Sequence, residues 1–223
     1  RYCLLSRGLG DVYKRQVSIG RRSTGFTLIE LLVSLALAAI LGSLAAPAVR
    51  DFIVRSKLTN LSAEFTGSVL KARNEAVNRN TCVTMCMSSS AGDAAPACTT
   101  TGTDWQVGWI AFLNPTCDSG ANSPTDSINM LLARPSMGSD FYLQTQNNRK
   151  KITFNARGSP GSSSAGQFDI VYQNVSNPLN DKYSVNICMD GLGRTRTIPY
   201  SQTCAGYNLS LIHISEPTRQ EAI

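Results

Sequence analysis

Gly25-Phe26-Thr27-Leu28-Ile29-Glu30 opens the stretch FTLIELLVSLALAAILGSLAA, residues 26–46, in which Glu30 is the only ionisable side chain among 21 residues. As an α-helix rising 1.5 Å per residue, this stretch reaches about 31 Å and matches a hydrocarbon core roughly 30 Å thick. The reading is a transmembrane helix over residues 26–46. Arg21 and Arg22 precede it, and the positive-inside rule keeps that end cytoplasmic and sends the remainder outside. A cleavable secretory signal is the alternative, but its apolar region usually runs only about 7 to 15 residues and ends at a small-residue cleavage site. Ala45-Ala46-Pro47 makes a poor site because proline follows it.

An acid inside a membrane helix costs about 2.5 to 3.5 kcal/mol on insertion scales, so Glu30 needs a partner. Snorkelling to the headgroups is the simpler account, open to a residue four positions from the helix start. At the other end of the apolar run, Pro47 removes the amide that would bond the Ser43 carbonyl, and Gly42 lowers local helix propensity. Gly42 and Pro47 therefore mark an expected point of helix flexibility.

Beyond Pro47 the apolar residues keep helical spacing but line one side only: Val49, Phe52, Ile53, Leu61, Phe65, Val69, Ala72 and Ala76. Arg50, Asp51, Arg55, Lys57, Lys71, Arg73 and Arg79 take the other side. This predicts an amphipathic helix over residues 47–80, continuous with the first, whose stripe carries a globular head. From residue 81 to 208 the texture changes to short β-prone runs between Gly, Pro, Ser and Asn. The expected strands are Cys82 to Met87, Trp105 to Leu113, Ser127 to Ala133, Phe141 to Thr145, Ile152 to Asn155, Phe168 to Tyr172, Ser184 to Met189 and Arg194 to Ile198. The fold class is α+β: a long amino-terminal helix, transmembrane then amphipathic, packed against a carboxy-terminal antiparallel β-sheet head.

With 223 residues, 24.0 kDa and 42% hydrophobic side chains, the chain can bury a real core. The net charge of +6 is unevenly placed. Residues 1–25 hold +5 and residues 209–223 hold −1, leaving +2 for the rest, so global charge is no argument for nucleic acid. Residues 1–16 and 209–223 resemble translated sequencing-adapter read-through and are set aside from fold reasoning. That removes Cys3 and His213, the single histidine.

Six cysteines remain. Cys82 and Cys86 on one strand would sit about 13 Å apart, beyond the roughly 7 Å reach of a disulfide, so they need separate partners. Cys188 and Cys204 flank the last hairpin and are placed to close it; Cys86 with Cys98 and Cys82 with Cys117 are further candidate pairs. Six cysteines allow 15 connectivities, and sequence does not choose among them. Without a Cys-x-x-Cys pair or a usable histidine no metal site is expected. Nor is an enzyme or a cofactor: there is no GxxxxGK loop, no histidine base, and no serine or cysteine beside a recognisable activating partner.

One basic feature stands out. In Gly193-Arg194-Thr195-Arg196 the two arginines would share a face of an extended strand, near the roughly 7 Å spacing of phosphates along a nucleic-acid strand. The alternative is a turn at Gly191 and Gly193, with Arg194 and Arg196 paired to acids such as Asp190 or solvated. Arg149-Lys150-Lys151 is a second basic run, whose place relative to the hairpin the sequence leaves open.

The segment Gly25 to Glu30 resembles the signature of the type IV pilin and pseudopilin superfamily: a basic leader, glycine, then a phenylalanine-led apolar helix with glutamate fifth. The resemblance implies a leader over residues 17–25, cleavage by a prepilin peptidase between Gly25 and Phe26, and N-methylation of Phe26. It further implies that Glu30 meets the terminal amine of a neighbouring subunit during assembly, a carboxylate and an ammonium desolvated together. The head is similar to the GspH/FimT branch through Ala72 to Asn80, Val83 to Cys86, Gly108 to Phe112, Ile152 to Phe154 with Gly158, and Gly191 to Arg196. In that branch a Gly-Arg-x-Arg motif is implicated in DNA capture for natural transformation, which nominates Arg194 and Arg196. The implied role is a minor pilin near the tip of a type IV pilus, or a GspH-like minor pseudopilin of a type II secretion system. The implied partners are other pilins or pseudopilins, the prepilin peptidase, the inner membrane and DNA. The implied location is the inner membrane with a periplasmic head.

Overall fold

Thr27 starts the first element. Its Oγ1 accepts the Glu30 N–H at 3.2 Å, satisfying one of the free amides of the first turn. Helix α1 then spans Leu28–Asn78 in the computed structural model, which describes residues 25–136, 138, 140–161, 166–174 and 178–204. The adapter-like ends, the expected leader up to residue 24, Cys3, His213 and the last residues of the expected head lie outside the described residues. The helix runs through Gly42 and Pro47, and the chain divides into two units at Pro47.

In the first unit every side chain from Phe26 to Ala46 is exposed. By length and composition this is the one helix among the described residues fit to cross a membrane.

The second unit begins with the amphipathic part of α1. Val54, Leu58, Leu61, Phe65, Val69, Ala72 and Ala76, three or four residues apart, are buried and join the core of the head. Eight strands follow among the described residues: β1 Val83–Met87, β2 Gly108–Leu113, β3 Met130–Pro135, β4 Phe141–Thr145, β5 Lys151–Phe154, β6 Gly166–Tyr172, β7 Ser184–Met189 and β8 Thr195–Pro199. They form two antiparallel four-stranded sheets, ordered β3-β2-β1-β5 and β4-β6-β7-β8.

The Phe65 ring joins them. It meets Trp105 at 5.5 Å and Trp109 at 5.4 Å edge to face, and Phe168 of β6 at 4.9 Å. One helical side chain thus closes a single core over both sheets, with Leu143, Ile152, Phe154, Ile170 and Ile187 fully buried around it.

Two of the expected strands begin as 3-10 turns. Trp105–Val107 is one, because the Asp104 carboxylate accepts the Gln106 amide at 2.9 Å and leaves β2 to start at Gly108. The same Asp104 oxygen accepts the Leu143 amide at 2.8 Å, tying this turn to the other sheet. Ser127–Asn129 is the second, and β3 begins at Met130.

Among the described residues three disulfides lock the head: Cys82–Cys117, Cys86–Cys98 and Cys188–Cys204, with Cα separations of 5.2, 5.5 and 5.5 Å. The Cys82 carbonyl also accepts the Asn114 amide at 2.8 Å, so the first of these continues the β1–β2 pairing into its loop. Cys188 and Cys204 bracket β8.

Candidate functional site

Two places carry the residues singled out by sequence. The first is the start of α1. Thr27 and Glu30 stand at capping-box spacing, and a carboxylate in the first turn is favoured by the helix dipole. Glu30 is exposed, and among the described residues no donor meets its carboxylate. Phe26 is 82% exposed one residue beyond Gly25, in chain outside the helix. This end presents the Gly25–Phe26 peptide outside the helix, an aromatic residue and a carboxylate that meets no donor among the described residues.

The second place is the β7–β8 hairpin. Its turn is built by Asp190, whose carboxylate Oδ1 accepts the Leu192 amide at 3.0 Å and the Arg194 amide at 2.8 Å. The backbone closes the loop in both directions, Gly193 N–H to Asp190 carbonyl and Asp190 N–H to Arg194 carbonyl, each 3.0 Å. Gly193 sits at φ +74°, where a Cβ would lie 2.6 Å from the Gly158 carbonyl oxygen. Glycine is required there both by the left-handed backbone and by the close approach.

These bonds start the strand one residue later than the spacing suggests: β8 begins at Thr195, so Arg194 belongs to the turn and only Arg196 to the ladder, opposite Cys188. The expected strand from Arg194 is corrected accordingly. Arg194 Nε pairs with Asp190 Oδ2 at 2.7 Å while the guanidinium stays 54% exposed. Partial burial pushes the Asp190 carboxyl up, but the Arg194 amide and side chain, the Leu192 amide and the guanidinium charge outweigh it and hold it below its ordinary value. Arg196 is exposed on β8.

In the second basic run the Arg149 guanidinium lies beside Gly166, which pairs with Met189 at the end of β7, while the two lysines bind loop carbonyls. Lys151 Nζ donates to the Ser119 carbonyl at 3.0 Å, the Ala121 carbonyl at 2.6 Å and the Asn122 side chain at 2.8 Å. Lys150 Nζ donates to the Thr100 carbonyl. Burial pulls the Lys151 ammonium down. Both lysines brace loops flanking the first sheet.

Two further arginines, Arg73 and Arg157, are given no role at a site by the sequence. The Arg73 Nε donates to the Gly158 carbonyl at 3.1 Å and to the Leu192 carbonyl at 3.0 Å, joining helix, β5–β6 loop and hairpin. Arg157, next to Gly158, is exposed. By spacing alone Arg73 is part of a solvated helical face, and nothing local places it under the hairpin. Among the described residues no three His, Cys, Asp or Glu side chains cluster as a metal site.

Two family models match the chain. Residues 62–193 match Type II transport protein GspH, and residues 20–46 match the Prokaryotic N-terminal methylation motif. No curated protein matches it. Two solved structures are similar, both of the Pseudomonas aeruginosa type IV minor pilin FimU and both 18% identical. The P21 form covers 69% of this chain and 98% of that one at a TM-score of 0.48; the P65 form covers 66% and 99% at 0.42. With the GspH model spanning more than half of its residues and the methylation motif covering its apolar helix, the chain belongs to the GspH family of pilin-like proteins.

Proposed function

We propose that this chain is a minor pilin of a type IV pilus, a non-enzymatic subunit that assembles with other pilins at or near the filament tip. Residues 26–46 anchor it in the bacterial inner membrane and residues 81–208 form a periplasmic head. A prepilin peptidase cleaves the bond between Gly25 and Phe26, and Phe26 is then N-methylated. The observation carrying this reading is Glu30, a carboxylate that meets no donor among the described residues, near the amino end of an apolar segment exposed from Phe26 to Ala46. Such a charge is costly in lipid, and a neighbouring subunit's amino terminus is the cation that offsets it while fixing the register between helices.

The test is in cells that carry a prepilin peptidase. Gly25→Ala should leave the chain at precursor size on a gel, whereas Glu30→Ala should be cleaved and inserted yet missing from the filament fraction. Glu30→Ala incorporated at the native level would refute the proposed pairing.

A second reading has a specific support: the matching family model is described as a type II transport protein. As a GspH-like pseudopilin the chain would belong to a periplasmic filament that drives folded proteins outward. Sheared surface filaments separate the two. A pilus subunit is recovered in them, and a pseudopilin stays with the cell envelope.

DNA capture for transformation is the finer reading of the pilus role. It is supported by Arg194 and Arg196, the exposed residues of the Gly193-Arg194-Thr195-Arg196 stretch. With so few phosphate contacts per head, binding would be weak, steeply salt-dependent and reliant on several copies.

A further inference from the structure

A second, smaller core lies on the outer face of the first sheet. Side chains alternate along a strand, so where Trp109 and Ala111 of β2 enter the main core, Ile110 and Phe112 turn outward. With Cys86 and Ala91 they form a separate buried cluster. Met130 and Ala133 stand opposite Phe112 and Ile110 in the ladder and carry that face onto β3, the terminal strand of the sheet. The cover is incomplete there. A groove of about 590 Å³ remains over β3, between the loop from Ala91 to Ala97 and the loop from Ser123 to Ser127. Ligand sites usually measure roughly 300 to 1,000 Å³.

Both walls are held in place. The Cys86–Cys98 disulfide returns the first loop to β1. Within it the Ala97 amide donates to Ser90 Oγ at 3.0 Å, and the Ala97 carbonyl accepts from Ser88 Oγ at 2.7 Å. The Cys98 amide then donates to the Asn122 carbonyl at 2.6 Å, which ties the first wall to the second. The second loop is anchored at its base by Cys82–Cys117 and clamped by Lys151 Nζ through the Ser119 and Ala121 carbonyls and the Asn122 side chain. The groove is therefore preformed, and an entering ligand needs to order little of the chain around it.

Its chemistry is two-fold. Ala91, Pro96, Met130 and Ala133 give it an apolar floor, and its charged lining residues are Asp93 and Asp126, both exposed. Among the described residues no lysine or arginine lines it, and no donor meets either carboxylate.

We propose that this groove docks a segment of a partner protein in which a small aliphatic side chain enters the floor and flanking lysine or arginine side chains meet Asp93 and Asp126. The floor supplies apolar burial. The two carboxylates supply orientation and partner choice, because an acidic segment would be repelled. The groove has this character whether the filament is a pilus or a secretion apparatus.

The experiment pans a phage-displayed library of random heptapeptides against the full chain in a non-ionic detergent and measures the selected peptides by fluorescence anisotropy. They should combine lysine or arginine with alanine, valine or leucine. Ala133→Trp fills the groove from an exposed strand position and should weaken them by about tenfold or more, as should Asp93→Lys with Asp126→Lys at low salt. All three positions are exposed, so these variants should melt at the temperature of the wild type.

A library that yields no binder overturns the proposal, as does a selected set of acidic or uncharged sequences. Peptides that all bind Ala133→Trp as well as the wild type overturn it too, since their site lies elsewhere. Basic peptides weakened by the charge reversals but not by Ala133→Trp reduce the surface to an unselective acidic patch and overturn the groove. None of these outcomes touches cleavage or filament incorporation, which Gly25→Ala and Glu30→Ala read separately.

Discussion

Replacing Phe65 by alanine should strike both sheets at once. The side chain is fully buried and its ring lies within 5.5 Å of the rings of Trp105, Trp109 and Phe168. Truncating a buried phenylalanine costs about 3 to 5 kcal/mol, from lost transfer energy plus the cavity left behind. Three aromatic neighbours lift this site off the lower end, to about 4 kcal/mol, since each well-oriented ring pair is worth roughly 0.5 to 1.5 kcal/mol beyond its area. With a urea dependence of about 2 kcal/mol per molar, the midpoint should fall by roughly 2 M. The assay is tryptophan fluorescence, because the chain's 2 tryptophans, Trp105 and Trp109, both flank this ring. Phe52→Ala is the control: that residue is 71% exposed, and its removal should change stability by less than about 0.5 kcal/mol. A loss below about 1.5 kcal/mol for Phe65→Ala, or an equal loss for Phe52→Ala, would refute the claim that one helical side chain closes the core over both sheets.

Loop-closure entropy ranks the disulfides by their separations of 35, 16 and 12 residues. Replacing both cysteines by serine should cost about 3.8, 3.1 and 2.8 kcal/mol for Cys82–Cys117, Cys188–Cys204 and Cys86–Cys98, and denaturant midpoints of the three variants test that order. Gly193→Ala should destabilise by about 1 to 3 kcal/mol, combining a left-handed backbone with a 2.6 Å approach to the Gly158 carbonyl oxygen, and a thermal melt reads it. Asp169 is half buried; burial raises its carboxyl above the ordinary value, and the Gln167 side chain only partly offsets this. A raised carboxyl stabilises the fold below the unfolded value of 3.8 and loses that contribution as pH rises through the folded value, so Asp169→Asn should raise stability at pH 7 and give no gain below about pH 3.8. Denaturant melts of both proteins at pH 3 and pH 7 check the sign.

Local chemistry makes several elements readable from consecutive residues. Phe141–Thr145 and Ser184–Met189 have the bounds that their β-prone runs between turn residues indicate. Where a side chain overrides the local run, the reading slips: Asp104 caps a 3-10 turn out of what reads as strand, and Asp190 holds Arg194 in the turn. The expected antiparallel β-sheet head is built as two sheets, because β5 pairs with β1 while β4 pairs with β6, and strand partners are chosen by packing across the core.

At the amino terminus, the apolar helix and the methylation motif that matches it are legible from the run that opens at Gly25. A helix long and apolar enough to cross a membrane, and a lone carboxylate within it, are properties of neighbouring residues, read from helical rise and hydropathy. The hairpin site is legible only in part. The meeting of Arg194 with Asp190 spans a turn four residues long, within reach of pattern. That Arg73 reaches the carbonyls of Gly158 and Leu192, 85 and 119 positions away, is decided by the tertiary structure alone. Long-range hydrogen bonds follow from how the sheets fold over the helix, and no local spacing encodes them.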